Sequence, residues 1–178
     1  MFASVVSSDV GISSCVFTDS RVQTGCASSS SQTFSLGGGI SIFRAGSVVL
    51  NETNVTHCRA IGVRQANNVL VGGGGIYVQD AESVALQSSV VSACSVEDAV
   101  SVRVLPCGGG AIGITNISAV RISNSNVYNN SDSSSSGAIL LQQLTAESDM
   151  VVNVTNGSFL SSDTSISIVL PVLNISCG

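Results

Sequence analysis

The sequence predicts an all-β protein, a right-handed, single-stranded parallel β-helix (a solenoid) of about five coils. The first ground is a spaced pattern of Val-x-aliphatic, four residues, Val or Phe, two residues, then Cys, Asn or Ser. Its copies run Val10-Ile12-Phe17-Ser20, Val48-Leu50-Val55-Cys58, Val84-Leu86-Val91-Cys94, Val120-Ile122-Val127-Asn130 and Val152-Val154-Phe159-Ser162. The second is an Ile preceded by small residues: Gly37-Gly38-Gly39-Ile40, Gly73-Gly74-Gly75-Ile76, Gly109-Gly110-Ala111-Ile112 and the shorter Gly137-Ala138-Ile139. The third is that the anchors Phe17, Val55, Val91, Val127 and Phe159 lie 38, 36, 36 and 32 residues apart, with the variation confined to the linkers. A rigid coil with tolerant loops explains fixed spacing inside each unit better than a sandwich does.

Each element follows from local chemistry. Ile76-Tyr77-Val78 and Val84-Ala85-Leu86 alternate with a period of two residues, which places one strand face inward. The glycine run before each Ile supplies the tight or positive-φ corner that a coil needs before it re-enters the sheet. None of these runs is followed by Lys-Ser/Thr or by a helical pattern, so the nucleotide-binding motifs are not met. Each unit therefore reads as a Gly-led strand, a Val-x-aliphatic strand, and a third extended piece ending at the Cys/Asn/Ser corner. Residues 59–72 and 95–108 read as the longer linkers, and as places where a partner would bind.

Coils stacked at about 4.8 Å turn equivalent residues into columns. Two columns, Val10/Val48/Val84/Val120/Val152 and Phe17/Val55/Val91/Val127/Phe159, are apolar throughout, as a core requires. Ser20/Cys58/Cys94/Asn130/Ser162 is a column of small or amide side chains, suited to a corner where they bond along the axis. Thr53/Ser89/Ser125 is the nearest approach to an outward hydroxyl array, and with one Thr it falls short of an ice-binding surface.

Composition limits function. The 178 residues suffice for a single domain, 1–178, with 44% hydrophobic residues to fill a core. Charged residues make up 10%, lysine is absent, and the net charge is −5, so no basic surface suits nucleic acid. No stretch approaches the roughly 18 apolar residues of a membrane span. Met1 to Cys15 lack the basic start and apolar middle of a secretory signal. Neither end offers an amphipathic helix to cover an open sheet edge, which suggests a piece of a longer protein and end-to-end association of the isolated chain.

At Gly109-Gly110-Ala111-Ile112, followed by Val127-Tyr128-Asn129-Asn130, the chain resembles the repeats of chlamydial-type polymorphic outer-membrane proteins. Those repeats pair a Gly-Gly-Ala-aliphatic element with a Phe-x-x-Asn element. The resemblance spans residues 10–162. It implies an extracellular or cell-surface passenger that displays surface or adheres, with a host or cell-surface protein or glycan, and neighbouring coils, as partners. It transfers no catalytic residue. The rival class is a carbohydrate-active, pectate-lyase-like β-helix enzyme whose active site lies outside this segment.

No residue pattern supports a catalytic, cofactor or metal site. Six cysteines at 15, 26, 58, 94, 107 and 177 form no Cys-x-x-Cys pair, and His57 is the single histidine. Asp19 and His57 share a column, with Arg21 and Arg59 two residues on. This group could bind an anion or act as acid and base, but a ladder of opposite surface charges is the favoured account, since no later coil extends the cluster. Arg44, Asp80 and Asn116 share another column, where a salt bridge between coils suffices. Asp80 and Glu82 alternate on one strand, but no column repeats a carboxylate. Cys58 and Cys94 lie close enough in their column for a disulfide, with a reduced corner pair as the alternative; Cys94 and Cys107 flank one linker and offer another pairing. Sequons at Asn51, Asn54, Asn116, Asn129, Asn153, Asn156 and Asn174 fit N-glycosylation, or simply the outward Asn, Ser and Thr of solenoid strands.

Overall fold

A computed structural model describes residues 2–4, 8–23, 33–62, 69–97, 108–132, 138–142, 151–156, 158–160 and 166–169. Within them every regular element is a β-strand and the strands pair in parallel, stacking into sheets as a β-solenoid does. Three twelve-residue strands, Ile40–Asn51, Ile76–Gln87 and Ile112–Ser123, are the centre of the largest sheet. Phe2–Ser4 and Val10–Ser13 pair with the first of them, and Ile139–Gln142 and Val151–Thr155 pair with the last. Ile166–Val169 lies beyond Ile139–Gln142.

A second sheet holds Val16–Thr18, Asn54–Thr56, Val90–Ser92, Asn126–Tyr128 and Ser158–Leu160 in that order. A third holds Arg21–Gln23, Arg59–Ile61, Ser95–Glu97 and Ser131–Asp132. Thr33–Leu36 pairs with Val69–Gly72, and a bridge from Gly72 to Gly108 extends that ladder.

The register is the one the repeat spacing demands. Val10, Val48, Val84, Val120 and Val152 are successive partners, as are Phe17, Val55, Val91, Val127 and Phe159. Ile40, Ile76, Ile112, Ile139 and Ile166 form a further column. Val48, Val84, Val120, Val55, Val91, Val127, Ile40, Ile76, Ile112 and Ile139 of these columns make one core with Ile42, Leu50, Val78, Leu86, Ile114 and Ile122, and Val10 and Phe17 pack against it. Each fully buried aliphatic contributes about 1.5–3 kcal/mol. Ala60, Val71 and Val96, with Val22 against them, form a small second cluster beneath the third and fourth sheets.

The corners explain the residue types between strands. Positive φ recurs at Arg44, Asp80 and Asn116 (55°, 55° and 57°), at Ser14, Glu52, Ser88, Asn124 and Asn156 (52°, 50°, 47°, 49° and 50°), and at Asp19, His57, Ala93 and Asn129 (52°, 54°, 52° and 53°). Asn and Asp tolerate this left-handed region best among residues with a Cβ, so half of these twelve positions carry one of them.

Three expectations change. The Gly-led and Val-x-aliphatic strands are one continuous element, because the left-handed residue at its fifth position bends the strand without breaking the ladder: Gln79 pairs with Phe43 and Ala81 with Ala45, skipping Asp80 and Arg44. The same bend removes the simple alternation that put Asp80 and Glu82 on one face. The supposed linkers 59–72 and 95–108 open with strands, Arg59–Ile61 and Ser95–Glu97, and the first of them ends in Val69–Gly72. The Thr53/Ser89/Ser125 column points inward and is buried, with 0%, 1% and 0% exposure, so it offers no outward hydroxyl array. A hydroxyl at a corner finds unpaired backbone inside the coil, which outweighs its affinity for water.

Candidate functional site

Polar chemistry in register lies inside the stack. Ser89 Oγ donates to Gln87 O (2.7 Å) and accepts the Thr53 N–H (3.0 Å). Ser125 repeats this one rung on, donating to Ser123 O (2.8 Å) and accepting the Ser89 N–H (3.1 Å). Cys15 occupies the same column, and its thiol donates to Ser13 O. Ser89 and Ser125 therefore each cap the N–H of the rung before, a duty that no strand pairing performs at a corner.

The Cys58/Cys94/Asn130 column is a second internal ladder. Asn130 Oδ1 accepts the Cys94 N–H (2.9 Å) while Nδ2 donates to Val91 O (3.1 Å). Cys58 Sγ lies 3.4 Å from Thr56 O and 3.7 Å from Phe17 O, and Cys94 Sγ lies 3.3 Å from Ser92 O and 3.6 Å from Val55 O. These partners are equivalent, so the two thiols share one orientation and are translated along the axis. Both are free, and the bond suggested by their shared column is absent. A disulfide needs sulfurs about 2.05 Å apart, and parallel side chains on rungs about 4.8 Å apart do not provide that. Cys107 lies outside the described residues. The side-chain hydrogen bond with Cys58 and then burial push the Cys94 thiol above its ordinary value, while the same bond draws Cys58 down.

Access governs alkylation of a buried thiol. Iodoacetamide under native conditions is expected to label half-buried Cys15 well before Cys58 and Cys94, which react only on unfolding. Peptide mass mapping checks the order. Prompt native labelling of Cys94 contradicts the internal ladder.

The outward residues do not converge. Asp19, Arg21, His57 and Arg59 are all exposed. Asp19 Oδ2 accepts from Thr18 (3.1 Å), Arg21 donates to Gln23 (2.6 Å), and Arg59 pairs with Glu97 at 3.4 Å. Arg21 and Arg59 are register partners, so like charges are adjacent. Among the described residues no bond joins Asp19 to His57. At the other column, Asn116 Nδ2 donates to Asp80 Oδ1 (2.6 Å) and Gln79 to its Oδ2 (3.1 Å), so an amide takes the place expected for Arg44.

The sequons divide by position. Asn54, Asn129, Asn153 and Asn156 are exposed, Asn51 and Asn116 are half-buried, and Asn174 lies outside the described residues. Half-buried Tyr128 and Phe43 and buried Tyr77 are the aromatic groups of the described outer surfaces; Tyr77 stacks on Phe43 at 5.8 Å and donates to Gln79 (3.0 Å). One interior cavity is lined by Leu50, Val84, Leu86, Ile114, Val120 and Ile122 among other aliphatics, and has nothing to hold a polar ligand. Among the described residues no three His, Cys, Asp or Glu side chains gather as metal ligands, and no helix is long and apolar enough to cross a membrane.

Fold and surface together define a parallel β-stack whose recurrent polar groups are structural. Comparison with known protein families, curated proteins and solved structures gives no match.

Proposed function

We propose that the chain is a right-handed parallel β-helix of about five coils serving a non-catalytic structural, adhesive or display role, outside the cell or on its surface. The observation that carries this reading is where the repeated chemistry goes. The hydroxyl, thiol and amide columns that recur in register are buried and bonded to backbone. What faces water changes from rung to rung: Gly11, Val49, Ala85, Arg121 and Asn153 are successive partners on the outer face of the main sheet. Such a surface repeats no single chemical group and carries few charges, one of them Arg121. Right-handedness rests on the strong preference of parallel crossovers for that hand. The likeness of Gly109-Gly110-Ala111-Ile112 and Val127-Tyr128-Asn129-Asn130 to chlamydial-type surface repeats supports a passenger role, with a host or cell-surface protein or glycan as the partner.

Immobilised chain is expected to retain cells or glycan-coated beads saturably, leaving the glycan intact. Depolymerisation of an acidic polysaccharide by the purified chain overturns this reading and favours a carbohydrate-active enzyme.

A further inference from the structure

Seven of the twelve asparagines stand in Asn-x-Ser/Thr with no proline between. Ser and Thr make up 43 of the 178 residues, so composition alone completes about three such motifs. Strand alternation, with both polar residues on one outward face, accounts for Asn54-Val55-Thr56 and Asn153-Val154-Thr155. The copy at Asn51 ends on Thr53, which its buried column requires.

Neither cause covers Asn116-Ile117-Ser118, Asn129-Asn130-Ser131 or Asn156-Gly157-Ser158. Each begins with an asparagine at positive φ, which breaks the alternation. A left-handed corner favours Asn, but it sets no demand for a hydroxyl two residues on. The register makes this plain: Ser131 continues a column that holds Arg59 and Ser95, and Ser158 pairs with Asn126.

The exposed acceptors gather on one arc of the coil. Asn153 lies on the main sheet beside Arg121, and Asn156 at the corner that leads into the second sheet. Asn54 lies in the second sheet, and Asn129 at the corner that leaves it. The described strands of the third and fourth sheets contain no asparagine. The same arc carries exposed apolar surface, since Val16 is 68% exposed and is the register partner of Asn54. With no lysine and 10% charged residues, the chain has few charges to keep such a surface soluble.

We propose that Asn54, Asn129, Asn153 and Asn156 carry N-linked oligosaccharides, which cover the side of the coil around the second sheet and leave the third sheet bare. This rests on the reading of the chain as extracellular or displayed on a cell surface. The donor is an oligosaccharide linked to a polyprenyl diphosphate. Its bond from the anomeric carbon to the phosphate oxygen breaks, that carbon bonds to Asn Nδ2, the amide gives up one proton, and the polyprenyl diphosphate leaves. One amide N–H is kept, so the bond from Asn156 Nδ2 to Asn124 Oδ1 (3.3 Å) is compatible with the modification. Asn51 and Asn116 are half-buried, and Asn116 Nδ2 is held by Asp80 Oδ1 at 2.6 Å, so both are poorer acceptors in the folded chain.

The test is mass mapping of the full chain isolated from the cells that make it, before and after a peptide-N-glycosidase in heavy-oxygen water. The enzyme turns each occupied Asn into an Asp that carries the heavy oxygen, and an enzyme-free control corrects for spontaneous deamidation at Asn156-Gly157. The intact mass is expected to fall by several oligosaccharides, with label on at least three of the four exposed asparagines. An unchanged mass, label confined to Asn51 and Asn116, or label on fewer than three of the four overturns the proposal. The two readings fail separately: a chain without glycans that still retains cells or beads leaves the adhesive role standing, and a glycosylated chain that retains neither leaves the glycan sites standing.

Discussion

Gly74→Ala is expected to abolish folding or to lower stability by about 3 kcal/mol or more. A Cβ at this position overlaps Gly110 O and lies 2.5 Å from Ser95 O, and both are backbone atoms of neighbouring strands. Neither atom can retreat without cost, because Gly74 N–H donates to Gly109 O (3.1 Å) and Ser95 N–H to Cys58 O (2.9 Å). The glycine before it answers a different demand, since Gly73 has φ +61°. Gly11→Ala is the control: nothing lies within 4 Å of its added Cβ, and a change within about 0.5 kcal/mol is expected. Urea midpoints of the two variants decide the matter, and a Gly74→Ala protein as stable as Gly11→Ala contradicts the close packing of this corner.

Asn130→Leu is expected to cost about 2–5 kcal/mol, since it leaves the buried Cys94 N–H and Val91 carbonyl without their side-chain partner. Asn130→Asp sharpens the test. An ionised carboxylate still accepts from Cys94 N–H but cannot donate to Val91 O, and burial disfavours its charge, so its folded pKa rises above the ordinary value of about 3.9. A raised folded pKa means that the stabilising, protonated form is complete below about pH 3.9 and is lost as pH climbs through the folded value. The aspartate variant should therefore close part of its stability gap to wild type as pH falls from 7 toward 4, while Asn130→Leu keeps a constant gap. A pH-independent gap for Asn130→Asp argues that the amide is not the internal cap.

Register was the most legible property of this protein. Because the units keep fixed internal spacing, aligning Val48 with Val84 and Val120 was enough to pair whole strands. Side-chain direction at the corners was not legible. Thr53, Ser89 and Ser125 look like exposed hydroxyls in a strand of alternating polarity, yet a left-handed residue at Glu52, Ser88 and Asn124 turns the chain just before each and swings it inward. Periodicity cannot register such a turn, since one residue of positive φ shifts the phase of everything after it. Asp19 and His57 mark a recurrent left-handed corner, shared with Ala93 and Asn129, and so need no common chemistry. The strands Arg59–Ile61 and Ser95–Glu97 were missed because Arg-Ala-Ile and Ser-Val-Glu are too short to show a period.

By itself the sequence determined the all-β class, the in-register columns and the aliphatic core, because a repeated spacing forces equivalent residues to stack wherever coils pile up in parallel. Only the tertiary structure decided that the small polar columns face inward, that Cys58 and Cys94 share an orientation instead of a bond, and which glycines are held by a neighbour's backbone. Those outcomes depend on corner dihedrals and on distances to residues one rung away. A linear pattern names the residues at a corner, but the direction in which the chain leaves that corner is set by the rungs packed against it.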